Sequence, residues 1–98
     1  MRRGFFKTSK AMAADTIVKK AILDVLVNNS ETNINHLLDV GFFDPVSNEE
    51  VRFIIYAIRA LYKRGQMITP QSINRYLDGN TTRMTAFKAK RELQAIIN

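Results

Sequence analysis

The stretch from Ser47 to Gly65, SNEEVRFIIYAIRALYKRG, decides how the chain is read. Ser47 with Glu50 three residues on has the form of a capping box, in which a hydroxyl and a carboxylate each satisfy an orphan N–H at a helix start. Val51, Ile54, Ile55, Ile58, Leu61 and Tyr62 then trace one continuous apolar stripe along a helix. Phe53 and Tyr56 widen the stripe, so this helix is expected to be central and contacted on two sides. Lys63 and Arg64 sit in its last turn, where cations meet the negative end of the helix dipole, and Gly65 ends it.

Working toward the N-terminus, Phe42-Phe43-Asp44-Pro45 reads as a turn with two aromatics to bury, and Pro45 pushes Asp44 toward extended geometry. Gly41 before it is the expected C-cap of a short helix from about Glu31 to Val40, with Ile34, Leu37 and Leu38 inward. Asn28-Asn29-Ser30 stops an earlier helix, because short polar side chains compete with the backbone for hydrogen bonds. That helix is expected to start at Asp15 or Thr16, either of which can cap it. Ile17, Val18, Ala21, Ile22, Val25 and Leu26 share one face, and Lys19, Lys20 and Asp24 occupy the other side. Residues 1–14 then form a basic arm, flexible or amphipathic. Lys7 and Lys10 interrupt any apolar core of a secretory signal. Phe5 and Phe6 in this arm are candidates for docking on the domain or on a partner.

Toward the C-terminus, Thr69-Pro70 opens a fourth helix with an N-cap hydroxyl and a proline at the first helical position. Ile73, Tyr76 and Leu77 face inward, and Asp78-Gly79-Asn80 reads as a turn. Thr81 or Thr82 caps a last helix to about Ile97, apolar at Met84, Phe87, Leu93, Ile96 and Ile97. No segment alternates with a period of two, so there is no sheet to propose. The expected architecture is all-α, a compact orthogonal bundle of about five helices in a single domain over residues 15–98.

The residue inventory excludes much chemistry. There are no cysteines and one histidine, His36, so disulfides, thiol nucleophiles and cysteine-based metal sites are absent and no metal centre is expected. The four glycines lie far apart, so no phosphate loop of the GxxxxGK[ST] kind exists. His36 reads as a surface or core-edge residue. Glu49 and Glu50 are adjacent and point in different directions on a helix, a poor acid–base pair. The chain is therefore not expected to be an enzyme or to hold a cofactor. No apolar run is long enough for a bilayer span, and no membrane partner is expected.

Charge is distributed in blocks. The sum is 15 Lys+Arg against 9 Asp+Glu, a net +6. Residues 1–20 are basic, residues 21–50 contain no Lys or Arg and six acids, and residues 51–98 carry nine basic groups against Asp78 and Glu92. Such a pattern suits pairing with another protein or with a second copy as well as binding DNA. Arg83, Lys88, Lys90 and Arg91 make the last helix basic on its polar side: a solvated face, a phosphate-contacting face or an interface with an acidic protein. One reading takes residues 69–97 as a helix-turn-helix-like DNA-binding unit, with Arg75, Thr81, Thr82, Arg83, Lys90 and Arg91 on the nucleic acid. In that register Arg75 and Asp78 fall where small or apolar residues should pack between the helices.

A more specific pattern runs through residues 17–77. It comprises Ala21-Ile22-Leu23-Asp24, the pair Phe42-Phe43, then Arg52 followed by Ile55-Tyr56-Ala57-Ile58, and Leu61-Tyr62-Lys63-Arg64-Gly65-Gln66. Ile68-Thr69-Pro70 and Ile73 ahead of Leu77 complete it. This stretch resembles the N-terminal helical domain of DnaB-type replicative helicases, whose fold is shared with the helicase-binding domain of bacterial primases. The resemblance implies a non-catalytic interaction module of DNA replication that touches a helicase, primase or loader, or pairs with itself. It also implies a cytoplasmic setting in a bacterial or phage-infected cell. After Leu77 the sequence has room for one helix rather than the family's hairpin, and no motor is expected. Met1 and the basic arm favour a free-standing protein, such as a phage protein, over an excised domain. The candidate partner contacts are then Phe5, Phe6, Arg83, Met84, Phe87, Lys88 and Arg91, although Met84 and Phe87 suit the core equally well. DNA binding under this reading is weak and sequence-indifferent.

Overall fold

A computed structural model describes the backbone of residues 2–39 and 46–98 and the side chains of residues 15–39 and 46–98. It contains α1 (Arg2–Asn28), α2 (Glu31–Leu38), α3 (Glu49–Lys63), α4 (Pro70–Asn80) and α5 (Arg83–Ile97), with no strand among the described residues. The chain is all-α, as the periodicity predicts. The expected Gly41 cap and the Phe42–Pro45 turn lie outside the described residues.

Helix α3 is the centre. Val51, Ile54, Ile55, Ala57, Ile58 and Leu61 are buried along it, and α1, α2, α4 and α5 all pack against it. The core they share is wholly apolar: every buried residue described is aliphatic, from Val18, Ile22 and Val25 of α1 to Leu77 of α4 and Leu93 of α5. Each buried Val, Ile or Leu, removed from water, contributes about 1.5–3 kcal/mol, which is what holds short helices that would be marginal alone. Two residues of the expected stripe behave differently. Tyr56 and Tyr62 are 42% and 40% exposed, because a phenol keeps its hydroxyl wet when the ring lies at the edge of a core.

The helix ends correct several expectations. Helix α1 begins at Arg2, well before Asp15, and no proline interrupts residues 2–14 to stop it. Asp15 is therefore not its cap. Ser47 is not the cap of α3 either: Asn48 is, accepting through Oδ1 from the Val51 N–H at 3.1 Å. The two expected caps instead bond each other, the Asp15 carboxylate accepting from the Ser47 N–H (2.9 Å) and hydroxyl (2.8 Å). This fastens the entry of α3 to the middle of α1. Helix α2 stops at Leu38 rather than Val40, with the Asp39 N–H donating to the His36 carbonyl.

Gly65 terminates α3 as expected, and its φ of +67° shows why glycine stands there. Its N–H donates to the Tyr62 carbonyl and the Gln66 N–H to the Leu61 carbonyl, the paired bonds of a Schellman motif. Gly79 does the opposite of what was expected. Asp78-Gly79-Asn80 is the last turn of α4, and the helix ends at Thr81, whose hydroxyl and N–H both donate to the Leu77 carbonyl. Thr69 and Ser72 make the capping box at the other end of α4, and Thr82 caps α5.

Candidate partner-binding face and the tyrosine cleft

Helix α5 buries two alanines and a leucine and shows Met84 and Phe87. Ala86, Ala89 and Leu93 face the core, and α3 and α4 lie close against them. Alanines permit a close helix approach, and the helix must then turn its bulkier neighbours outward. Met84 is 66% exposed and Phe87 57% exposed, so both are surface residues rather than core. Arg83, Phe87 and Arg91 follow one another at i, i+4 and i+8, with Met84 and Lys88 in the adjacent row. All five are exposed. The guanidinium of Arg91 lies 5.7 Å from the Phe87 ring centroid, a cation–π contact along the row. The tertiary structure thus gathers five of the seven candidate partner contacts on one outward face. The side chains of the other two, Phe5 and Phe6, lie outside the described residues.

The helix-turn-helix-like set is divided. Lys90 donates to Asp78 at 2.8 Å, an ion pair tying α5 to α4 rather than a cation held out to phosphate. Thr82 is committed as the α5 cap, accepting from the Thr85 N–H. Arg83 and Arg91 belong to the α5 face. Arg75 and Thr81 line hollows on the α3–α4 side, in which none of Arg83, Lys90 and Arg91 takes part.

That other side holds an arrangement the sequence reading missed. An open cleft of about 730 Å³ runs between α3 and α4, with Leu38 of α2 also in its lining. All three tyrosines of the chain, Tyr56, Tyr62 and Tyr76, line it. Phe53 meets Tyr56 edge to face, with centroids 5.9 Å apart and planes at 76°. Arg59 donates to the Leu38 carbonyl at 2.7 Å and so pins the end of α2 to α3. Lys63 also lines the cleft. Tyr76 and Asn80 are shared with an adjoining hollow that contains Arg64 and Arg75, and the Arg64 guanidinium sits 5.6 Å from the Tyr76 centroid. No carboxylate lines either hollow. No periodicity argument could have found this cleft, since its walls come from three helices brought together by packing.

Two acids, Asp24 and Glu92, are occupied with structure. Asp24 accepts from the side-chain amides of Asn28 and Asn33, locking the α1–α2 corner. Glu92 meets Lys19 of α1 at 3.5 Å. His36 is exposed beside a shallow groove between α1 and α2. Among the described residues no group of three or more His, Cys, Asp or Glu side chains could hold a metal ion. No helix among them is long and apolar enough to cross a membrane. In comparisons with known proteins, no family model, no curated protein and no solved structure matches the chain.

Proposed function

We propose that this protein is a non-enzymatic interaction module of DNA replication, a phage protein of the helicase N-terminal-domain kind. Its outer α5 face docks on a replisome component: a helicase, a primase or a loader. The observation that carries the reading is the display of Phe87 and Met84 on an outward face framed by Arg83, Lys88 and Arg91. Exposed aromatic and arginine side chains are the usual anchors of protein interfaces, and a cationic frame selects an acidic partner surface and speeds its encounter. The resemblance of residues 17–77 to helicase N-terminal domains supplies the replication context. A second copy of the chain is a further acidic-and-basic partner for the same face.

The test is binding of the full chain to purified helicase, primase and loader by biolayer interferometry, together with its mass in solution by light scattering. Phe87→Ala with Arg91→Ala should abolish capture by one of the three while leaving the helical circular dichroism unchanged. Retained capture by the double variant removes α5 as the docking face. Failure of all three proteins to bind removes the replication assignment. The helix-turn-helix-like alternative is weakened by the Lys90–Asp78 pair and by the placement of Arg75 away from α5. It predicts that Arg83→Ala with Arg91→Ala abolishes duplex binding.

A further inference from the structure

The tyrosine cleft is a second surface, independent of the α5 face, and its chemistry differs. On α5 an apolar centre is framed by charge. In the cleft and the adjoining hollow, rings stand among cations: Tyr56, Tyr62 and Lys63 of α3 with Tyr76 of α4 in the one, and Tyr76 with Arg64 and Arg75 in the other. Tyrosine and arginine also anchor protein interfaces; what sets these two hollows apart is that cations line them beside the rings and no carboxylate does, which suits a polyanion that carries flat π faces. We propose that this cleft and the adjoining hollow bind single-stranded nucleic acid, with bases on the tyrosine rings and phosphates on Lys63, Arg64 and Arg75.

Three physical points favour a single strand as the occupant. The rings sit inside a concavity, where an unstacked base can enter but the edge of a duplex cannot present a base face. Stacking on tyrosine accepts every base, so the cleft needs no hydrogen-bond code. Lys63 shares the cleft with all three rings, Arg64 and Arg75 share the adjoining hollow with Tyr76, and no acid lines either, so phosphate meets no repulsion there. The tyrosine hydroxyls keep the rings half wet, which favours a ligand that is itself amphipathic.

The test is fluorescence anisotropy of labelled dT12 with the full chain between 50 and 300 mM salt, with folding of each variant checked by circular dichroism. None of Tyr56, Tyr62, Lys63, Arg64 and Arg75 is among the buried core residues, so their replacement empties no core position. Tyr56→Ala with Tyr62→Ala should weaken binding at least about tenfold, and the phenylalanine pair at the same positions should restore it, because the ring and not the hydroxyl stacks. Lys63→Ala, Arg64→Ala and Arg75→Ala together should flatten the slope of log K against log salt by about 2, three phosphates at about 0.7 each. Several results overturn the proposal. They are no binding of dT12 at 50 mM salt, equal binding of a duplex of the same length, equal displacement by polyglutamate, or affinity that survives both sets of cleft substitutions. Loss of dT12 binding in an α5-face variant with the cleft intact moves the site to α5 and overturns it as well. Capture of helicase, primase or loader is a separate readout, so the failure of either proposal leaves the other standing.

Discussion

Helices α3 and α5 are each fifteen residues long, each capped by a short polar side chain, and packed against each other. They use their apolar residues in opposite ways. Helix α3 buries four branched side chains and a leucine in addition to one alanine, whereas α5 buries two alanines and a leucine and exposes a methionine and a phenylalanine. The first helix is an organiser: its burial is what the fold rests on. The second is a facing element, held close by small residues and left with Met84 and Phe87 on its outer surface. A large apolar residue on a helix is therefore evidence of function only once packing has shown which face the small residues have taken.

The contrast can be broken most directly at α3. Ile55→Ala should cost about 2–5 kcal/mol, since Ile55 is fully buried at the centre of the bundle and its neighbours cannot all collapse into the void. Urea unfolding monitored by circular dichroism measures this, and a loss below 1 kcal/mol would show that α3 is not the organiser. On α5 the sensitive change runs the other way. Ala89→Leu should destabilise by about 1–3 kcal/mol, because a longer side chain pries apart helices that meet at an alanine with no exposed surface.

Two of the three glycines expected to be terminators, Gly65 and Gly79, sharpen the comparison at the helix ends. Gly65→Ala should cost about 1–2 kcal/mol from backbone strain alone: φ is +67°, and an added Cβ would meet nothing within 4 Å. Gly79→Ala should stabilise by about 0.5–1 kcal/mol, since the residue is helical and the space around it is open. Thermal melts of the pair should therefore move in opposite directions, and a shift of the same sign would contradict the assigned end of α4. The smallest effect belongs to the outer face of α5. Phe87→Ala should change stability by no more than about 0.5 kcal/mol and, under the proposed function, weaken partner capture.

Much of the fold was legible because the deciding signals are local. The stripe from Val51 to Leu61, the αL requirement at Gly65 and the Thr69-Pro70 start each depend on neighbours within one or two turns. Where the reading slipped, a distant residue had intervened. Asp15 and Ser47 each have the chemistry of an N-cap, and either would serve as one in isolation. In the fold they lie against each other, so the carboxylate satisfies the serine and Asn48 takes over the cap. Gly79 carries a turn-forming residue type, yet Leu77 on the core and the Asp78–Lys90 pair hold that turn helical. Of the candidate site, the α5 cations and Phe87 were named from sequence, but whether Met84 and Phe87 faced in or out was open in the sequence.

The sequence by itself determined an all-α chain, the order of its helices, a central apolar helix and the absence of cysteine and phosphate-loop chemistry. Each of these follows from residue type and short-range spacing. Only the tertiary structure decided which apolar residues are displayed, which cations are neutralised and which aromatics meet. Those outcomes depend on how closely α5 approaches α3 and α4, and on α2, α3 and α4 converging around Tyr56 and Tyr76. Helix-to-helix distance is set by the sum of side-chain volumes across an interface, a quantity no single segment contains.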